Sequence, residues 1–134
     1  MRTLLVIGLL AFVGCSKTTD QQDQKAAIAT ITVDQLDQML AQRACQPVDA
    51  NGGSTRKKLG VIPTAILLSD YDTFAASELP ADKAKPLVFY CASTECGASH
   101  HAAEKALTAG YTNVKVLPVG IAGWVKAGKQ TTAI

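Results

Sequence analysis

The residues best suited to chemistry are two cysteines in the short segment Cys91-Ala-Ser-Thr-Glu-Cys-Gly97. The preceding run Leu87–Tyr90 is apolar, β-branched or aromatic, which predicts a buried strand of a parallel sheet. In residues 98–107 apolar side chains recur at helical spacing, and Gly110 supplies a stop signal. Cys91 is therefore predicted to lie between the carboxyl end of a strand and the N-terminus of a helix, where open α/β sheets bind their ligands.

A cysteine at this place can act as a nucleophile. A helix N-terminus favours an anion and lowers a cysteine pKa from about 8.5 toward ~3.5–7.5. We therefore predict that Cys91 is catalytic and that loop backbone amides surround its thiolate and the bound substrate; these belong to Ala92, Ser93, Thr94, Glu95 and Gly97. The alternative is a buried cysteine that packs as a small apolar side chain.

Cys96 admits three interpretations. It is a resolving thiol that forms a reversible disulfide with Cys91, an independent free thiol, or half of a permanent structural disulfide. The first makes Cys96 a second catalytic residue. We expect Cys45, just before Pro47, to be an inert buried residue.

The first residues resemble an export signal. A basic residue precedes the apolar run Leu4–Val13, which is too short for a membrane span of ~20 residues. The ending Phe12-Val-Gly-Cys15 resembles the lipobox of bacterial lipoproteins, which implies cleavage before Cys15 and lipidation of that cysteine. An ordinary secretory signal with an incidental cysteine is the alternative.

These features predict the domain organisation. Residues 1–14 are the signal peptide, residues 15–28 are the lipidated cysteine with a polar linker, and residues 29–130 are one folded domain. Ser16 provides no aspartate retention signal of the inner-membrane kind, so we expect a lipid anchor on the periplasmic side of the outer membrane. The anchor is then the chain's sole contact with the membrane.

The remaining elements predict an α/β fold. Thr32 and Gln35 form a capping-box pattern that starts a helix over residues 33–42. Short apolar strands are expected near residues 47–50, 65–68 and 114–117, with a loop over 51–58. Alternating strands and helices predict a mostly parallel sheet with helices on both faces. With 13 Lys and Arg against 11 Asp and Glu, nothing indicates nucleic-acid binding, and we expect a monomer.

Five short segments appear in the order found in one family. They are Val48-Asp49-Ala50, Gly60-Val-Ile-Pro-Thr-Ala65, Val88-Phe-Tyr-Cys91, Gly110-Tyr-Thr-Asn-Val114 and Gly120-Ile-Ala-Gly-Trp124. On these segments the chain resembles a single-domain rhodanese, a sulfurtransferase with a three-layer α/β domain. The resemblance implies that Cys91 takes sulfane sulfur from a small donor such as thiosulfate, holds it as a persulfide, and passes it to a thiol or cyanide. No cofactor is implied, and Asp49 and Trp124 are expected to be structural.

The chain also departs from that family. Asn51 and Cys96 stand where members commonly carry arginine, so Arg56, or else Lys57, is the candidate for binding an anionic substrate. The catalytic loop is slightly longer, and Glu95 adds a carboxylate that opposes thiolate formation.

Two alternatives therefore belong to other functional classes. Cys91, Cys96 and His100 have a spacing that fits a soft metal, although His100 and His101 also fit a helical first turn and a solvent-facing position. The other alternative is an inactive rhodanese fold that binds a protein partner.

Overall fold

The chain folds around a parallel sheet in a computed structural model that describes residues 27–134. The predicted signal peptide, Cys15 and most of the linker lie outside the described residues. In chain order the elements are β1 (Ala29–Thr30), α1 (Val33–Ala41), β2 (Gln46–Asp49), α2 (Gly53–Leu59), β3 (Ile66–Leu67), a 3-10 turn (Ala76–Glu78), β4 (Leu87–Tyr90), α3 (Ala98–Thr108), β5 (Val114–Val116) and α4 (Gly120–Lys126).

The sheet has the strand order β1-β5-β4-β2-β3, and every neighbouring pair is parallel. β4 is central, with Tyr90 opposite Asp49 of β2 and Phe89 opposite Val116 of β5. All carboxyl ends therefore lie at one edge, and the end of β4 lies in its middle.

Alternation along β4 divides the core into two clusters. Leu87 and Phe89 point to the face covered by α3, where three alanines of that helix are fully buried. Val88 and Tyr90 point to the opposite face, which is covered by Leu36 of α1 and by α4. The helices therefore lie on both faces, and the predicted three-layer α/β architecture is confirmed.

Two elements lie where local sequence patterns predict them. The Thr32 hydroxyl accepts from the N–H of Gln35 at 3.2 Å, while the Gln35 side chain accepts from the Thr32 N–H at 3.0 Å, so the predicted capping box starts α1. β4 covers the four residues predicted for it. The expected loop over 51–58 is wrong, because residues 53–59 form α2.

None of the helices within residues 27–134 has the length and apolar character that a membrane-spanning helix needs.

Candidate active site

Cys91 continues the alternation of β4 and is 1% exposed, packed in the cluster beneath α3. Its backbone is fixed by the first turn of α4. The N–H of Ile121 donates to the Cys91 carbonyl at 2.8 Å, and the N–H of Ala122 donates to the Ala92 carbonyl at 2.9 Å. The first residues of the loop 91–97 are therefore held by main-chain groups that a helix N-terminus leaves free.

Gly120 makes this contact possible. It has φ +60°, and a Cβ built on it would lie 2.5 Å from the Cys91 carbonyl oxygen and 2.7 Å from the Ala92 carbonyl carbon. Both the left-handed conformation and the close backbone approach require glycine. The glycine that opens the last family-like segment thus has a physical role at the loop.

The structure joins Cys91 and Cys96 in a disulfide, with a Cα–Cα distance of 6.3 Å. This lies within the usual ~4.4–6.8 Å range. Of the three interpretations of Cys96, the independent thiol is not the state observed. Cys45 is free and buried, and burial raises the pKa of its thiol.

Two polar atoms approach the Cys91 sulfur. Ser99 Oγ lies 3.3 Å from Cys91 Sγ, and the Cys96 carbonyl oxygen lies 3.2 Å from it. Ser99 is 2% exposed in the first turn of α3. Sequence reasoning missed this residue, although a small hydroxyl residue just inside a predicted helix start was the available signal.

The loop between the cysteines is formed by a tight turn. The N–H of Cys96 donates to the Ser93 carbonyl at 3.1 Å. The other predicted cradle amides donate to no acceptor among residues 27–134; they belong to Ala92, Ser93, Thr94, Glu95 and Gly97. Thr94, Glu95 and Gly97 are exposed, so this part of the loop is open to solvent.

Asp49 and Arg56 form a buried ion pair at the end of β2. Asp49 Oδ1 accepts from Arg56 Nε at 3.1 Å and from the Asn51 N–H at 2.7 Å. Arg56 Nη2 also donates to the carbonyls of Asp49 at 3.1 Å and Leu68 at 2.9 Å. The Arg56 side chain is 12% exposed and that of Asp49 is fully buried. Arg56 therefore lies in a structural network, and no hydrogen bond joins it to the described loop 91–97.

Tyr90 connects this network to β4. Burial, and then the negative charge of Asp49, raise the pKa of the Tyr90 hydroxyl well above its usual value. The neutral hydroxyl accepts from the Ile62 N–H at 3.0 Å. The residue before Cys91 is therefore anchored by its side chain as well as by the sheet.

The histidines do not join the cysteines. His100 is exposed, and His101 Nε2 lies 2.6 Å from Asp72 Oδ1 on the segment after β3. Within residues 27–134 no group of three or more His, Cys, Asp or Glu side chains is arranged to hold a metal. The soft-metal alternative therefore has no support from this geometry.

Trp124 is 2% exposed in the core of the face covered by α1 and α4, and its indole N–H donates to the Gln130 carbonyl at 2.8 Å. Its polar atom is thus satisfied by the chain itself. A cleft of about 280 Å³ opens beside α1, but Cys91 and its loop do not line it.

Comparison with known proteins agrees with this fold. Residues 32–127 match the family model described as the rhodanese-like domain. The chain therefore belongs to the rhodanese-like domain family. No curated protein matches it significantly.

Similar solved structures have the same fold. The rhodanese-like domain of an Anabaena protein has 23% identity and a TM-score of 0.66, with 81% of each chain covered. A 3-mercaptopyruvate sulfotransferase of Escherichia coli has 18% identity and a TM-score of 0.63, covering 81% of this chain and 52% of that one. A possible tyrosine phosphatase of Rhodopseudomonas palustris has 23% identity and a TM-score of 0.65, covering 78% and 85%. The fold is thus shared by proteins described with different activities.

We predict that Gly120→Ala destabilises the protein by about 3 kcal/mol, because a left-handed residue and an overpacked contact each cost on the order of 1–2 kcal/mol. Gly128→Ala is the matched control, since Gly128 has φ +75° and nothing within 4 Å of its Cβ position. Its cost should be near 1 kcal/mol. Urea unfolding measures both, and equal losses would show that the contact with Cys91 and Ala92 does not matter.

We predict that Arg56→Met lowers the free energy of unfolding by about 3–5 kcal/mol, because it leaves the buried Asp49 carboxylate without its ion-pair partner. Lys57→Met, on the exposed side of the same helix, should change it by less than about 0.5 kcal/mol. Chemical denaturation checks both variants. A fully stable Arg56→Met with weakened thiosulfate binding would instead assign this arginine to the substrate.

Proposed function

We propose that this protein is a sulfurtransferase that carries sulfane sulfur as a persulfide on Cys91. The observation that carries the proposal is the placement of Cys91 at the end of the central strand, where α4 holds its carbonyl. The loop that follows has backbone N–H groups that donate to no acceptor among the described residues. Family membership supports the same chemistry, since similar structures include a protein described as a sulfotransferase.

The first step is a displacement at sulfur. The Cys91 thiolate attacks the outer sulfur of a donor such as thiosulfate, the donor's S–S bond breaks, and sulfite leaves with the bonding electrons. The negative charge then lies on the outer sulfur of the Cys91 persulfide. Main-chain donors around a developing anion stabilise it as an oxyanion hole does.

Cys96 is well placed to resolve that persulfide. Its thiolate attacks Cys91 Sγ, the bond from Cys91 Sγ to the outer sulfur breaks, and hydrosulfide leaves. The product is the Cys91–Cys96 disulfide present in the structure. A thiol or cyanide in solution is the competing acceptor, and attack by either returns Cys91 as a thiolate without forming the disulfide.

In the disulfide form of the structure Cys91 is unreactive. With 1% exposure and its sulfur already bonded, Cys91 cannot accept sulfur from a donor. Reduction must come first, because the thiolate is the nucleophile. In the proposed cycle the protein thus alternates between an unreactive disulfide form and a reduced form that reacts with the donor.

We predict that the reduced full-length protein releases about one sulfide per chain from thiosulfate or inorganic polysulfide and becomes the disulfide. Cys96→Ser should instead retain a persulfide, seen as a mass gain of one sulfur atom, because the resolving thiol is absent. Intact mass spectrometry and a sulfide assay measure both products.

The controls separate the two cysteines. Cys91→Ser should show neither product, and Cys45→Ala should behave as wild type because Cys45 lies outside the loop. A sulfur gain that persists in Cys91→Ser, or no gain in Cys96→Ser, contradicts the proposal and leaves a protein-binding role for the fold.

We further propose that Cys15 carries a lipid and that the domain faces the periplasm from the outer membrane. The lipobox-like Phe12-Val-Gly-Cys15 supports the anchor, and a disulfide in the folded domain fits an oxidising compartment. More than one acyl chain holds a protein stably, since each buried methylene contributes ~0.8 kcal/mol.

We predict that radioactive palmitate labels the protein in the bacterium and that Cys15→Ser abolishes the label and releases the protein from the outer-membrane fraction. Cys45→Ala is the matched control and should stay labelled. Labelling that persists in Cys15→Ser would exclude Cys15 as the lipidated residue.

A further inference from the structure

The two halves of the disulfide are unequally accessible. Cys91 is 1% exposed within the α3-side core, whereas Cys96 packs against the same core but is only half-buried. The residues on either side of Cys96, Glu95 and Gly97, are exposed. Thiol–disulfide exchange requires an attacking thiolate to reach the sulfur it will bond to. Of the two cysteines, Cys96 is therefore the more accessible target.

The surroundings of Cys91 make it the better leaving group. When the disulfide opens, the Ser99 hydroxyl, 3.3 Å from Cys91 Sγ, can donate to the released thiolate. The Cys96 carbonyl at 3.2 Å is the other polar contact, and it suits the protonated thiol. The N-terminus of the eleven-residue helix α3 follows both cysteines and favours a thiolate on either, so the Ser99 contact is what distinguishes Cys91. A thiol with a lower pKa leaves faster.

We propose that an external dithiol reduces this disulfide by attacking Cys96 Sγ, with Cys96 as the entry residue and Cys91 as the leaving group. The inference rests on the proposed function, in which each release of hydrosulfide by Cys96 leaves the protein as the disulfide. The reduction proposed here returns it to the reactive form. A dithiol oxidation must therefore accompany every such turnover.

The two steps balance. One thiolate of the dithiol bonds to Cys96 Sγ, the Cys91–Cys96 bond breaks, and Cys91 leaves as a thiolate that takes a proton. The second thiol of the reductant then attacks the reductant sulfur that is bonded to Cys96 Sγ, and Cys96 leaves as a thiolate that takes a proton. The dithiol is oxidised to a disulfide, and the protein gains two electrons and two protons.

The short loop selects a dithiol over a monothiol. After the first step, the Cys91 thiolate remains beside the mixed disulfide, because the two Cα atoms are 6.3 Å apart in the closed form. Its return is intramolecular, with an effective concentration of about millimolar or more. A second thiol on the reductant competes in the same intramolecular way, whereas a monothiol is expelled.

The first test locates the entry sulfur. The oxidised full chain carrying Cys45→Ala is pulsed with 2-mercaptoethanol, quenched with acid, and alkylated in denaturant. Fragmentation of the peptide that contains both loop cysteines should place the earliest mercaptoethanol adduct on Cys96 and the alkyl group on Cys91. An earliest adduct on Cys91, or one divided equally, overturns the proposal.

The second test addresses the leaving group with dithiothreitol as the probe. Ser99→Ala should slow reduction of the oxidised chain by about five- to tenfold, because a hydrogen bond to a charged sulfur is lost. Thr108→Val, at the exposed far end of α3, should not change the rate.

A positioning role for Ser99 requires a titration as well as a rate. In a Cys96→Ser background, Ser99→Ala should raise the pKa of Cys91. The pH dependence of the alkylation rate measures that pKa. An unchanged rate and an unchanged pKa would remove the leaving-group argument.

Neither of these tests contains a sulfur donor, so their failure is distinct from failure of the proposed function. A Cys96 adduct in a protein that never forms a persulfide would leave a dithiol-linked redox site without sulfur transfer. A working persulfide cycle with the adduct on Cys91 would retain the sulfurtransferase and overturn the order of attack.

Discussion

The site depends on the contact between the first turn of α4 and the end of β4. Two main-chain hydrogen bonds, from Ile121 to Cys91 and from Ala122 to Ala92, fix where the strand stops and the loop begins. They satisfy N–H groups that a helix start would otherwise leave without partners. Gly120 allows the two backbones to approach so closely. Helix α4 thus positions Cys91, which precedes it by roughly thirty residues, about the length of one βαβ unit.

The period of the strand sets the second constraint. Because side chains alternate along β4, Cys91 falls on the same face as Leu87 and Phe89 and is drawn into their core. A reactive Cys91 sulfur must be reached by its substrate, whereas the alternation of side chains along β4 buries this residue. The disulfide to a half-buried Cys96 fits this conflict, since it connects a covered sulfur to a residue nearer the surface.

Sequence patterns captured the parts of the fold that local physics dictates. The capping box of α1 and the apolar run of β4 are local signals, and both elements lie where they were predicted. The loop predicted over 51–58 failed because Asn51-Gly-Gly signals a turn, whereas Arg56 ties residues 53–59 to Asp49 and Leu68 as a helix. That tertiary network overrides the local composition, and no local pattern encodes it.

The candidate site shows the same division. The strand, Cys91, Cys96 and the helix after them were readable from spacing, and the resemblance to one family placed the cysteine in a reaction. Ser99 and the α4 contact were not readable, because both depend on which groups the fold brings together. The burial of Cys91 was left open for the same reason, since the face of β4 that α3 covers is set by packing.

In the proposed reaction, Cys96 gives the loop a different chemistry from the arginine that the resemblance to rhodaneses leads us to expect there. A guanidinium at that place holds an anionic donor through fixed charge and leaves the choice of acceptor to solution. A thiol supplies no such charge but provides an acceptor inside the protein. In the proposed cycle, substrate binding then relies on main-chain N–H groups, while the fate of the sulfur is set by the loop. The exposed Glu95 beside Cys96 adds to this difference, because a carboxylate in the loop disfavours anionic donors.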